Sequence, residues 1–160
     1  MRLYHGSNVA VRAPRIFITN RLLDFGAGFY MTSSQKQAET WSKIQTARRR
    51  IGVPTVSIFD FDDGKLSNLD VLHFDGPNRE WLHFIVANRK GIYTGNKYDL
   101  VIGPVANDNT MSVIGDYMSG LIDEERALLY LMPQKLVDQY AFLTWRALNT
   151  LTFTETIQHE

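Results

Sequence analysis

The sequence predicts a single α+β domain over residues 1–160, and three observations carry that expectation. Segments with strand character stand at both ends of the chain, and segments with helical periodicity lie between them. A length of 160 residues supports one domain with a sizeable core and is short for two. The balance of 44% hydrophobic and 21% charged residues is that of an ordinary globular domain.

Taken in order, residues 2–5 read as a strand that runs into His5-Gly6-Ser7. Residues 8–24 are irregular, broken by Pro14 beside a short apolar Ile16-Phe17-Ile18. The stretch from Asp24 to Trp41 is the organising centre. Gly26 and Gly28 flank Ala27 in a tight turn, and Phe29-Tyr30-Met31 forms a short strand. Thr32-Ser33-Ser34 then caps a helix over residues 33–50. Ala38, Trp41 and Ile44/Gln45 share one face of that helix and predict its packed side. Arg48-Arg49-Arg50 stand at its C-terminus, where cations meet the negative end of the helix dipole. Gly52 and Pro54 stop it.

Residues 53–61 alternate and are β-rich, and Asp62-Asp63-Gly64 is a turn. Pro77 to Arg89 is a helix with Pro77 in its first turn and Trp81, Phe84, Ile85 and Asn88 on one face. Tyr98 to Pro104 is an apolar strand. Ala106 to Thr110 caps a helix around 111–119, and Ile122 to Met132 forms another with Asp123, Glu124 and Glu125 in its first turn. Asp138 to Thr144 reads as a strand with Gln139 and Ala141 on one face and Tyr140 and Phe142 on the other. Residues 145–148 form a short helix, residues 151–153 a last strand, and the tail 155–160 frays.

Composition excludes several functional classes. There are no cysteines, which removes disulfides, thiolate metal sites and a cysteine nucleophile. His73 and His83 lack HxH or HxxxH spacing and read as structural, so no metal is expected. Lys+Arg and Asp+Glu both count 17, giving no general push toward nucleic acid; the helix dipole accounts for the arginine triplet, and a nucleic-acid contact through Arg48 to Arg50 is the weaker alternative. The N-terminus has no apolar signal core and no run reaches the ~20 apolar residues of a membrane helix, so a cytoplasmic protein is expected.

Two motifs go beyond fold. His5-Gly6-Ser7 closes the first strand, and Phe25-Gly26-Ala27-Gly28-Phe29-Tyr30 precedes a helix that carries Trp41. Taken alone, Phe29, Tyr30 and Trp41 read as core aromatics and His5 as a capped core histidine. Together and in this order the motifs resemble the ADP-ribosyltransferase superfamily, in its diphtheria-toxin and poly(ADP-ribose) polymerase branch. More narrowly, the chain resembles a small bacterial family of this superfamily, some members of which sit in toxin–antitoxin-like or polymorphic toxin contexts. The resemblance implies two packed, mostly antiparallel sheets around an NAD cleft, with flanking helices. It implies NAD as substrate and transfer of ADP-ribose to a macromolecular acceptor, with an antitoxin protein as partner.

By the same resemblance, Tyr30 and Trp41 flank the nicotinamide ring, and Gly6 offers its backbone N–H and C=O to the carboxamide. His5 bonds the adenosine ribose, Ser7 adds a hydroxyl nearby, and Gly28 belongs to the binding turn. Arg12, Arg15 and Arg21 are candidates for the pyrophosphate, Arg15 foremost, since guanidinium pairs well with phosphate oxygens. The catalytic set is His5, Tyr30 and Gln139.

Two positions depart from the family pattern. Gln139 stands where the family carries a glutamate; it can orient a ribose hydroxyl but supplies no charge to an oxocarbenium-like transition state. That favours mono-ADP-ribosyl transfer, and leaves open a non-catalytic NAD-binding or interaction module. Ala38 stands where relatives often carry a serine that bonds the carboxamide, a loss of about 1 kcal/mol.

Overall fold

The computed structural model describes residues 1–17 and 23–159. The elements run β1 (Arg2–Ser7), β2 (Phe29–Met31), α1 (Gln35–Arg49), β3 (Thr55–Phe61), β4 (Val71–His73) and α2 (Arg79–Arg89). They continue with β5 (Leu100–Pro104), α3 (Asp108–Met118), α4 (Glu124–Leu131), β6 (Asp138–Phe142), α5 (Trp145–Leu148) and β7 (Leu151–Gln158). The fold is α+β with two sheets. One has strand order β1-β3-β7, antiparallel throughout; the other runs β2-β6-β5-β4, with only the β4–β5 pair parallel.

The helices start where short polar side chains satisfy their first amides. Ser34 accepts from the Gln37 N–H at 3.1 Å, Asn78 from Trp81 at 3.0 Å, Asn107 from Thr110 at 2.9 Å and Asp123 from Arg126 at 2.8 Å. The helix expected from residue 77 therefore starts two residues later. Pro77 precedes the Asn78 cap instead of sitting in the first turn.

Strand alternation sorts side chains into layers. Leu3, Phe29, Met31, Phe59, Phe61 and Phe142 pack between the two sheets. Ala38 of α1 packs with Val56 and Ile58 on the outer face of the first sheet. The outer face of the second sheet carries Val101 and Ala141, covered by Trp81, Leu82 and Ile85 of α2, Ile114 of α3, and Leu128 and Leu131 of α4. Two main-chain bonds join the sheets, Tyr4 N–H to Thr32 O at 2.8 Å and Thr32 N–H to Tyr4 O at 3.0 Å.

Other sequence expectations are corrected. The tail does not fray over 155–160: β7 runs to Gln158 and pairs with β3 from Leu151 to Gln158, while Glu160 lies outside the described residues. Pairing along β3 supplies the order that a polar, charged tail does not signal by itself. On α1 the side against the sheet is Ala38, Ser42 and Gln45, whereas Trp41 and Ile44 are 38% and 37% exposed. A small residue is required at Ser42 because β1 passes directly beneath it. The Asp62-Asp63-Gly64 turn continues as a 3-10 helix over Asp63–Asn68. Among the described residues, no helix is long and apolar enough to cross a membrane.

Candidate functional site

The site grows from the junction of β1 with β2 and α1. β1 alternates: Leu3 and His5 face the second sheet, while Tyr4 and Gly6 face α1. Gly6 is a glycine because the helix sits on it. A Cβ there would lie 2.1 Å from the Ala38 carbonyl oxygen and 2.9 Å from the Ser42 nitrogen. Sequence reasoning assigned the missing side chain to a ligand's approach, but close helix packing is its structural cause.

The edge of β1 is the chemically interesting part. Tyr4 directs its N–H and C=O away from β3, into the bridge with Thr32. In an antiparallel ladder the direction repeats every second residue, so Gly6 directs its N–H and C=O the same way. The bridge has ended by then. Among the described residues no turn, loop or cap bond reaches the Gly6 amide or carbonyl. Gly6 is nonetheless buried. A buried main-chain donor and acceptor side by side form a matched pair for an amide-like group.

His5 lies next to this pair. Its ring stacks on Phe29 with centroids 4.2 Å apart, and its Nδ1 lies 2.7 Å from the Tyr30 carbonyl oxygen. A carbonyl only accepts, so Nδ1 carries the proton and Nε2 is left as an acceptor. Burial lowers the basicity of the imidazole, the Tyr30 carbonyl acts against that, and the nearby Arg49 guanidinium lowers it further. The ring is held neutral.

Ser7 donates to Asn8 Oδ1 at 3.3 Å, and the same oxygen accepts from Arg49 Nη1 at 3.4 Å. Asn8 Nδ2 donates to the Ile51 carbonyl at 3.1 Å. Arg49 and Asn8 thus join the end of β1 to the end of α1. Sequence reasoning read Arg49 as a helix-terminal cation, with a nucleic-acid contact as the weaker alternative, and not as a partner of Asn8. A contact across 41 residues leaves no local signal.

Gly26 adopts φ +96°, the left-handed conformation that a turn requires. A Cβ on Gly28 would meet Leu143 Cδ2 at 2.6 Å and the Phe142 oxygen at 2.8 Å. Tyr30 folds back over the turn: its hydroxyl donates to the Gly26 carbonyl at 2.5 Å and accepts from the Phe25 N–H at 3.1 Å. Burial pushes its phenol well above the ordinary value, so it stays a neutral donor. The ring packs on the helix-covered face of the second sheet. The Asp24–Arg89 pair, at 2.6 Å, ties the start of the turn to α2.

Gln139 shares the Tyr30 face, two residues from Ala141, the register partner of Tyr30. It is 8% exposed, and its Nε2 donates at 3.5 Å to the Pro104 carbonyl, which also accepts from the Trp81 indole at 2.9 Å. Asp138, its neighbour, holds the Thr32–Ser33 turn: it accepts from the Ser33 N–H at 2.9 Å, from Thr32 Oγ1 at 3.3 Å and from the Ser33 hydroxyl. That carboxylate is committed to the turn that opens α1.

The structure therefore joins His5, Gly6, Ser7 and the Tyr30 backbone, and sets the Tyr30 and Gln139 side chains together on the other face of the β2–β6 pair. Trp41 stands on the exposed side of α1 with the Arg48 guanidinium 5.4 Å from its ring centre; among the described residues no ring contact joins it to Tyr30. Arg15 is exposed, Arg12 lies over Phe153 at 5.8 Å, and Arg21 lies outside the described residues. Two surface depressions lie elsewhere, one of about 420 Å³ on α4 and one of about 550 Å³ beside β4.

The chain matches no curated protein and no solved structure. A family model described as a protein of unknown function, DUF3990, matches residues 1–153. Nearly the whole chain, including every residue of the candidate site, falls within that match, and the chain belongs to the DUF3990 family.

Proposed function

We propose that the chain is an NAD-dependent mono-ADP-ribosyltransferase with an ADP-ribosyltransferase-like fold, acting on a macromolecular acceptor as the toxin of a bacterial toxin–antitoxin pair. The observation that carries the reading is the buried N–H and C=O of Gly6, uncommitted among the described residues, beside the Nε2 acceptor of His5. That pair suits a carboxamide, and the neutral imidazole suits a ribose hydroxyl. The chemical demands of NAD fit these residues at both points. NAD supplies the labile bond between nicotinamide and ribose: nicotinamide leaves neutral with the bonding electrons, and the anomeric carbon passes to an acceptor oxygen or nitrogen that releases its proton.

The chain's own part is to bind and orient. Gly6 fixes the amide end through its backbone, and α1 beneath it keeps that backbone still. Tyr30 locks the glycine turn through its hydroxyl. Gln139 offers an amide that orients a hydroxyl without adding charge.

Release of nicotinamide from NAD by the purified chain tests the reading. The wild type is expected to release it, and His5→Ala and Gln139→Ala to do so at least about tenfold more slowly, which is ~1.4 kcal/mol. Growth arrest on expression, relieved by His5→Ala, tests the toxin role. A second reading, a non-catalytic NAD-binding module, draws on the neutral Gln139 bonded to the Pro104 carbonyl. Calorimetric binding of NAD with no release over long incubation selects it, and absence of binding to the folded chain defeats both.

A further inference from the structure

We propose that the exposed face of α1 docks single-stranded nucleic acid; calling that strand the acceptor rests on the transferase reading above, but the docking does not. The balanced overall charge hides a segregation. Residues 35–50 hold Lys36, Lys43, Arg48, Arg49 and Arg50 against one carboxylate, Glu39, so the rest of the chain is net acidic. Glu39 is engaged by Gln35 at 3.2 Å and lies 3.7 Å from His159. Lys36, Lys43, Arg48 and Arg50 are exposed, and among the described residues none of them pairs with a carboxylate.

Their arrangement follows the helix. Lys36 and Lys43 stand one heptad apart, in line and about 10 Å from each other along the axis. Trp41 and Arg48 form a second such line, with the guanidinium over the indole. Trp41 lies about 140° around the helix from Lys36, so the exposed aromatic plane flanks the lysine row, and the two together supply what binds single strands: cations track phosphates and the ring stacks a base. An anionic membrane is a poorer occupant. A helix that lies on a lipid surface needs its apolar face available, and the apolar face of α1 is committed to Val56 and Ile58. An acidic peptide would use the cations but not the indole plane.

The test uses the full chain without NAD and labelled oligouridine and oligothymidine of about 15 nucleotides, read by fluorescence anisotropy. Binding is expected to fall with salt at a log–log slope of about −2 to −3, as three or four phosphate contacts require. The double variant Lys36→Ala/Lys43→Ala should lower that slope by about 1.4, with thermal midpoint and nicotinamide release unchanged. Trp41→Ala should weaken binding about tenfold at an unchanged slope. The two oligomers report whether RNA or DNA is preferred. The proposal is overturned by absence of binding at about 50 mM salt, or by a slope that the double variant leaves alone. It is equally overturned if phosphatidylglycerol vesicles bind and the oligomers do not, or if polyglutamate competes as well as oligouridine. Failure of nicotinamide release with intact oligomer binding defeats the transferase reading and leaves the docking surface standing.

Discussion

Gly6 and Gln139 stand on different sheets and treat their polar groups in opposite ways. At Gly6 the backbone donor and acceptor are buried and, among the described residues, uncommitted, in a segment pinned from below by α1. At Gln139 the side chain is buried and already bonded, to a carbonyl it shares with Trp81. One half of the candidate site is rigid main chain with groups to offer. The other consists of side chains built into the covered face of a sheet. Recognition placed on the first half tolerates little change in the backbone beneath it. Chemistry placed on the second would have to draw Gln139 away from Pro104.

The sharpest way to break this contrast is Gly6→Ala. Its Cβ would meet backbone, which cannot rotate aside, so a loss of about 3 kcal/mol is expected in urea denaturation. An unchanged midpoint would mean that α1 does not pin β1. Next comes Gln139→Glu, which places a buried carboxylate against the Pro104 carbonyl oxygen. A loss of about 2 kcal/mol at neutral pH is expected, recovered in part near pH 5 as the acid takes up a proton. Equal stability at both pH values, with faster nicotinamide release, would show that the side chain faces an open ribose site instead.

Tyr30→Phe should cost about 1.5 kcal/mol, because the Phe25 N–H and Gly26 carbonyl both lose their partner. Faster amide exchange at Phe25 would localise the effect to the turn. The smallest effect concerns His5. Burial, the largest influence, holds its folded pKa below the ordinary value, so the unfolded chain takes up the proton first. Stability from this group is full above about pH 6.5 and is lost as pH falls through the lowered folded value. Thermal midpoints of the wild type and His5→Asn should therefore converge between pH 7.5 and 5. Parallel curves would mean that His5 titrates as it does in solvent.

Much of this frame was legible in the residues. Thr32-Ser33-Ser34 announced α1, and Ser34 caps it; Gln139 and Ala141 were placed on one face, and the register with Gly103 and Val101 bears that out. What escaped the sequence depends on distant partners. β4 is three residues long and owes its existence to parallel pairing with β5, so it has no alternation to read. The outward turn of Trp41 follows from β1 lying beneath Ser42, one residue along, which a periodic pattern cannot resolve. In the candidate site, His5 and Tyr30 could be picked out by motif. The link from Asn8 to Arg49, the commitment of Asp138 to the α1 turn and the uncommitted edge at Gly6 arise only when the strands are aligned.

The Tyr4–Thr32 bridge has a mechanical meaning. Among the described residues it is the one main-chain link between the sheets, and two bonds of 2.8 and 3.0 Å make it up. Any shift of one sheet against the other has to break or bend these two bonds. His5 is one residue from that bridge along the chain, and Gly6 and Tyr30 are two. The groups of the candidate site therefore sit within two residues of the main-chain tie between the sheets, where two hydrogen bonds fix the spacing of β1 and β2 most directly.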